Sequence, residues 1–174
     1  MTEAFIDEIV SNQEKYGCLP LYVDVDRLRA KDYRSLGHMY DRSTGKFNTT
    51  QIGSFSAFKK VSDEYGISLM GEARIPKRET DVCRGIMELY AMGILNFSFE
   101  IKYARADTII ENGVQYVDAS QSNALTGVAI VSVPAYREST ALSLVAEEQD
   151  KGDHEMEKPS DDDLPENKGV DTMT

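Results

Sequence analysis

The sequence lacks the features that would tie the chain to a membrane or to an oxidising compartment. Its longest apolar runs, such as 128–133, fall far short of the ~20 residues that cross a bilayer, and the amino terminus, MTEAFIDEIV, is acidic. We therefore expect neither a membrane span nor a signal peptide. The only cysteines, Cys18 and Cys83, stand far apart and outside any zinc-binding spacing, which favours reduced thiols in a cytosolic protein.

Several motifs that mark nucleotide or metal sites are also absent. There is no GxxxxGK[ST] phosphate loop, no GxGxxG after a strand, no HExxH and no acidic calcium loop. Cofactors and structural metals are therefore not expected. Asp24 and Asp26 flank Val25 at the end of a predicted strand, where they could bind a cation, although ordinary solvated turn residues show the same pattern.

The net charge of −11 is concentrated at one end of the chain. Residues 147–174 contain eleven acidic residues and three lysines, a net charge of −8 that leaves −3 for the remainder. This segment has few aliphatic residues and contains Pro159 and Pro165, so it cannot bury enough apolar surface to offset its ordering entropy. We expect a folded domain over 1–146 and a disordered acidic tail over 147–174. Because the body has no basic stripe, direct nucleic-acid binding is not expected.

Hydrophobic periodicity predicts a β-rich domain. Predicted strands cover 19–25, 52–61, 67–75, 97–103, 108–111, 114–118 and 125–133. The last of these is almost continuously apolar, which predicts a central strand buried on both faces. Asn112-Gly113 indicates a hairpin, because a type I′ turn needs positive φ at both central residues.

Helical spacing is limited to two segments, an amphipathic helix predicted over 79–92 and a short helix over 26–36. This order of elements favours an α+β, β-rich fold in which a closed or strongly curled antiparallel sheet is accompanied by few helices.

Only two histidines occur, His38 and His154, and His154 falls in the acidic tail. His38 is therefore the imidazole base available to a serine nucleophile. Ser98 is the candidate nucleophile, because a serine on a strand between large apolar residues can be held rigidly against a base. Both residues also have ordinary interpretations, as a hydrogen-bonded structural histidine and a polar-face serine.

The order of these segments resembles that of the tailed-phage prohead proteases, which are relatives of herpesvirus assemblin. In that family a histidine in an early loop precedes an Ile-Gly strand, and a serine lies on a strand soon after a helix. The family's ending, similar to L-x-x-V-S-L-V-x-x-P-A, is matched here by LTGVAIVSVPAY at 125–136. The likeness covers residues 20–146.

The resemblance implies an assemblin-like barrel and a serine endopeptidase without cofactors. Ser98 would be the nucleophile, His38 the general base, and backbone N–H groups the oxyanion hole. The substrates would be the scaffold and major capsid protein of a tailed phage, cleaved inside the assembling prohead in the host cytoplasm. Self-association of the protease is also implied.

Two positions depart from the family's pattern. Members often have Ile-Gly-Phe after the serine, where this chain has Phe99-Glu100-Ile101, and an acidic residue where this chain has Gly127. Asp118 and Asp41 remain as substitutes for the third catalytic residue, and we name Asp118 as the candidate. An alternative register would put Asn96 in place of the serine. A catalytically inactive member of the fold, acting as an internal scaffold or capsid assembly protein, is the alternative function. An unrelated β-barrel binding module is a third.

Overall fold

The computed structural model describes residues 1–64, 66–134, 139 and 141–144. Met1–Leu144 form one compact unit. The predicted acidic tail over 147–174 lies outside the described residues, as does His154. No helix in the described part of the chain is both long and apolar enough to span a bilayer.

Helices and strands alternate irregularly along the described chain. The helices are α1 (Glu3–Ser11), α2 (Gln13–Tyr16), α3 (Val25–Arg29) and α4 (Thr80–Ala91). The strands are β1 (Leu19–Val23), β2 (Tyr40–Asp41), β3 (Lys46–Phe47), β4 (Thr50–Asp63), β5 (Gly66–Arg74), β6 (Asn96–Lys102), β7 (Thr108–Glu111), β8 (Val114–Val117) and β9 (Ala124–Val131). Short 3-10 turns occupy Tyr33–Ser35 and Arg105–Asp107.

The main sheet has five strands in the order β5-β4-β1-β9-β6 and curls into a half-barrel. The predicted α+β class and the strong curl of the sheet are therefore confirmed. The expectation of a purely antiparallel sheet is wrong, because β1 and β9 run parallel, with Leu21 opposite Val128. These two strands are far apart in sequence, so no hairpin dictates their relative direction. Two further hairpins, β2-β3 and β7-β8, form separate two-stranded sheets.

Local signals explain the hairpins and the longest helix. β4 and β5 pair antiparallel, as predicted, and α4 lies within the predicted span of 79–92. Asn112 and Gly113 join β7 to β8 with φ of 50° and 79°, which confirms the predicted turn. The helix predicted over 26–36 is shorter than expected, because Lys31 adopts a φ of 57° that no helix can continue.

The hydrophobic core includes the face of the sheet that carries Phe55, Phe97 and Phe99. The ring of Phe55 on β4 lies 6.1 Å from that of Phe97 and 6.3 Å from that of Phe99, both on β6. β9 is interior to the sheet, and its residues 128–131 are all buried, as the continuous apolar run predicts. α1 packs on β4 and β5 through Phe5 and Ile9, which are fully buried.

Candidate catalytic site

The face of β6 that points away from Phe55 carries the polar residues of the candidate site. Side chains alternate along a strand, so the contacts of Phe97 and Phe99 with Phe55 place Ser98 and Glu100 together on the opposite face. In the pairing with β9, Ser98 lies opposite Ala129 and Glu100 lies opposite Gly127. Ser98 and Glu100 are therefore neighbours about 6–7 Å apart along the strand.

His38 reaches this face from the segment that follows the 3-10 turn Tyr33–Ser35. Ser132, just past the end of β9, donates two hydrogen bonds to the carbonyl oxygen of Leu36, from its backbone N–H and from Oγ, each 2.9 Å long. Leu36 is itself buried, at 3% exposure. The segment is thereby fixed to β9 close to His38.

His38 and Glu100 are in direct contact. The distance from His38 Nδ1 to Glu100 Oε1 is 3.3 Å, and the two side chains are 34% and 22% exposed. A neutral imidazole has one donor and one acceptor nitrogen, so an Nδ1–H that donates to the carboxylate leaves Nε2 as the acceptor. This is the tautomer in which a histidine accepts a proton from a serine hydroxyl.

Ser98 shares the face of β6 with Glu100, but the described structure records no hydrogen bond between Ser98 Oγ and His38. Catalytic hydrogen bonds are often long in unliganded sites and tighten when substrate binds. The structure thus brings two of the three predicted site residues to one face and adds Glu100 as the partner of the imidazole.

Gly127 provides the space that the Glu100 carboxylate occupies. A Cβ atom built on Gly127 would lie 3.2 Å from Glu100 Oε2, 2.9 Å from Cε2 of Tyr22 and 3.3 Å from the carbonyl oxygen of Pro20. The 2.9 Å contact requires the Tyr22 ring to move, and the contacts at 3.2 and 3.3 Å are tighter than ordinary packing, so a side chain at position 127 would also crowd Glu100. Glycine on β9 and glutamate on β6 therefore fit each other across the strands.

Asp118, the predicted third catalytic residue, lies in a different network. Its carboxylate accepts a 2.6 Å hydrogen bond from Thr2 Oγ1, at the start of α1. The hydrogen bond from Thr2 holds the pKa of Asp118 below its ordinary value. Its carbonyl accepts from Nδ2 of the fully buried Asn123. The structure does not bring Asp118 to His38.

The other residues weighed from the sequence have structural partners of their own. Asp41 is exposed and accepts from the N–H and Oγ of Ser43, which lowers its pKa. Asn96 donates from Nδ2 to the carbonyl of Ser132 at 3.3 Å. Both arrangements are those of turn and strand-end residues.

The acidic pair at the end of β1 lies at the start of α3, where the carboxylate of Asp24 already has protein partners. Asp24 caps α3 by accepting from the N–H of Arg27 and also accepts from Asn48 Nδ2 at 2.6 Å. Asp26 lines an open groove beside it, in the first turn of α3. Within the described ranges no group of three or more His, Cys, Asp or Glu side chains is placed to hold a metal.

Glu100 is the site residue that sequence reasoning missed. Its position two residues after Ser98 on an alternating strand was a usable signal, since such residues share a face. A glutamate on a polar strand face is ordinarily solvated, however, so only the approach of His38 distinguishes it.

No protein-family model matches the sequence, and neither the curated proteins nor the solved structures include one with significant similarity. The structure is that of an α+β protein with a curled half-barrel sheet and a His–Glu pair on the strand face that also carries a serine.

Proposed function

We propose that the protein is a serine endopeptidase of the prohead-protease type, with Ser98 as nucleophile, His38 as general base and Glu100 as the residue that orients the imidazole. The observation that carries this proposal is the contact of His38 Nδ1 with Glu100 on the face of β6 that also bears Ser98. A carboxylate on Nδ1 directs the other ring nitrogen toward proton transfer.

In the proposed reaction, Ser98 Oγ forms a bond to the carbonyl carbon of the scissile peptide while its proton passes to His38 Nε2. His38 then gives that proton to the amine as the C–N bond breaks, leaving an acyl-enzyme. Water then gives a proton to the same imidazole and bonds to the acyl carbon, and the Oγ–C bond breaks as that proton passes to Ser98 Oγ, which releases the new carboxylate. Glu100 stabilises the positive imidazolium at each proton transfer.

The geometry also accounts for the two departures from the family's pattern. Members often have glycine two residues after the serine and an acid at the position of Gly127. Here the acid is Glu100 and the glycine is Gly127, and these residues are direct partners across β6 and β9. We interpret the two departures as one exchange, in which the carboxylate reaches the imidazole from the neighbouring strand. A Cβ atom at position 127 would lie within 3.2 Å of Glu100 Oε2, which places the two positions side by side.

On the same resemblance we propose the biological setting. The substrates are the scaffold and major capsid protein of a tailed phage, the enzyme works inside the assembling prohead in the host cytoplasm, and it associates with itself. The half-barrel corresponds in this proposal to part of an assemblin-like barrel. The curled sheet supports the resemblance.

A fluorophosphonate probe tests the proposed chemistry. The full chain is labelled at high protein concentration, which favours association, and analysed by intact-protein mass spectrometry. An activated serine displaces fluoride from phosphorus and forms an Oγ–P bond. We expect an adduct on Ser98 that is lost in Ser98→Ala and His38→Ala and retained in Ser68→Ala, a matched change at an exposed strand serine.

One observation favours a second candidate function, a catalytically inactive member of the fold that acts as an internal scaffold or capsid assembly protein. It is the missing hydrogen bond between Ser98 and His38 in the described structure. Folded, associated protein that forms no adduct on Ser98 would overturn the endopeptidase and support this alternative. Co-assembly with capsid protein by a Ser98→Ala variant would fit both functions and does not separate them.

A further inference from the structure

The carboxylate of Glu100 has a different neighbour at each of its oxygens. Oε1 lies 3.3 Å from His38 Nδ1. Oε2 lies toward Gly127, 3.2 Å from the position that a Cβ atom on this glycine would take. The carboxylate therefore borders both the imidazole and the space above Gly127.

The ring of Tyr22 borders the same space from the other strand. Tyr22 on β1 lies opposite Ala129 on β9, and Ala129 also lies opposite Ser98 on β6, so all three side chains are on one face of the sheet. The Cε2 atom of Tyr22 lies 2.9 Å from the Cβ position of Gly127. Gly127 is buried although it has no side chain. The tyrosine ring and the Glu100 carboxylate are thus neighbours above this glycine.

The backbone at Glu100 is fixed independently of Tyr22. β9 has one extra residue at this point, Thr126, which stands between the partners of Glu100 and Ile101. This arrangement is a β-bulge. The Thr126 hydroxyl donates to the carbonyl oxygen of Glu100 at 2.9 Å. What is left to be oriented at position 100 is therefore the side chain, a long one with several rotatable bonds.

We propose that Tyr22 is a positioning residue, whose ring closes the space over Gly127 and thereby keeps the Glu100 carboxylate against His38. This inference rests on the proposed function, since it assigns a role within the same site. Without the ring, the Glu100 side chain is free to turn over Gly127 and to exchange its contact with His38 for water. Tyr22 acts through Glu100 and has no part in the bond changes.

The first test measures the rate of fluorophosphonate labelling in the full chain. Tyr22→Val removes the ring but keeps a strand-forming residue, whereas Tyr22→Phe keeps the ring. We expect labelling to slow by about tenfold in Tyr22→Val, because the carboxylate is present but misplaced, and to stay near the wild-type rate in Tyr22→Phe. Tyr116→Val, a matched change on β8 in a separate sheet, should label normally.

A combined variant separates positioning from a general structural effect. If Tyr22 acts through the carboxylate, adding Tyr22→Val to Glu100→Gln should slow labelling by less than about twofold further. Equal losses in both backgrounds would overturn the proposal. So would slow labelling by Tyr22→Phe, or wild-type labelling by folded Tyr22→Val.

The second test needs no catalysis. Nitrogen NMR shows which ring nitrogen of a neutral imidazole carries the proton, and the chain has only two histidines, which a His38→Ala sample assigns. We expect the Nδ1–H form of His38 to predominate in wild type and Tyr22→Phe and to lose population to the Nε2–H form in Tyr22→Val. In wild type, absence of a nuclear Overhauser contact between the Tyr22 ring and the Glu100 side chain would overturn the geometry itself.

Failure of this inference is distinguishable from failure of the endopeptidase. An unchanged tautomer ratio in folded Tyr22→Val would overturn the positioning role even if Ser98 is labelled. A tautomer ratio that depends on the ring, in a protein that never labels, would overturn the endopeptidase and keep the role of Tyr22 at the His38–Glu100 pair. Tyr22→Leu, which also stops short of the Cε atoms, replaces Tyr22→Val in both tests if that variant does not fold.

Discussion

Replacing Glu100 with glutamine tests the central contact of the site with little change in shape. The variant keeps the side-chain length but removes the charge that faces His38 Nδ1 at 3.3 Å. It no longer selects the imidazole tautomer with Nε2 free, nor stabilises the imidazolium. Losses from such changes range over about 10²- to 10⁴-fold. Because Glu100 is 22% and His38 34% exposed, water replaces part of the interaction, and we expect the lower end, about 10²-fold.

The assay is the rate of fluorophosphonate labelling of Ser98, measured beside thermal unfolding. A partly exposed pair of this kind contributes about 0.2–1 kcal/mol to the free energy of unfolding. Glu100→Gln should therefore remain folded while losing most of its labelling rate. Labelling at the wild-type rate in the folded variant would refute the role of Glu100.

The exchange between Glu100 and Gly127 gives a sharper version of the same test. Gly127→Glu alone forces a side chain against the Tyr22 ring and Glu100 Oε2, and we expect it to lower the free energy of unfolding by about 1–3 kcal/mol. Glu100→Gly alone should label poorly. The double variant E100G/G127E removes the neighbour at 3.2 Å but keeps the contact with the Tyr22 ring at 2.9 Å, so it restores a carboxylate on the facing strand at some cost in stability. We expect it to label faster than Glu100→Gly, and a folded double variant that labels no faster would contradict the exchange.

Two further predictions concern titrating groups outside the site. Asp118→Asn should leave labelling of Ser98 unchanged and lower the melting temperature at neutral pH. The hydrogen bond from Thr2 depresses the pKa of Asp118, so the stabilisation it gives is present above the ordinary pKa near 3.8 and is lost as pH falls through the lower pKa of the folded state. The melting temperatures of wild type and Asp118→Asn should therefore converge in acid. A loss of labelling in the variant would instead place Asp118 in catalysis. The hydrogen bond to Glu88 raises the pKa of Tyr33 to about 12. The contribution of this bond to the free energy of unfolding should therefore be present below a pH of about 10 and disappear as pH rises toward about 12. Spectrophotometric titration of wild type and Tyr33→Phe measures this, and a Tyr33 that ionises near pH 10 would contradict it.

Local sequence signals determined the elements whose residues interact with near neighbours. The spacing of apolar residues predicted α4, alternation predicted β4, β5 and β6, and Asn112-Gly113 predicted the β7-β8 turn. Helix α1 was missed although Phe5 and Ile9 stand at helical spacing, because the acidic composition of the segment obscured it. Its burial depends on contact with β4 and β5, which no local pattern shows.

The candidate site also combines residues that the sequence predicted with contacts that it did not predict. Scarcity of histidine and the alternation of β6 were enough to single out His38 and Ser98 from the sequence. The sequence did not single out Glu100 as the partner of His38, because the two residues meet only when the segment at Leu36 is fixed to the end of β9. The fit of Glu100 over Gly127 likewise depends on the register of β6 against β9.

Local patterns in the sequence were enough to predict seven of the nine strands, the longest helix, the Asn112-Gly113 turn and the candidate residues His38 and Ser98. Each of these follows from side-chain periodicity or from the conformational preference of a few adjacent residues. Three features are visible only in the folded structure: the parallel pairing of β1 with β9, the His38–Glu100 contact and the edge position of β6. These depend on contacts between segments far apart in the chain, which form when burial of apolar surface selects one packing of the elements.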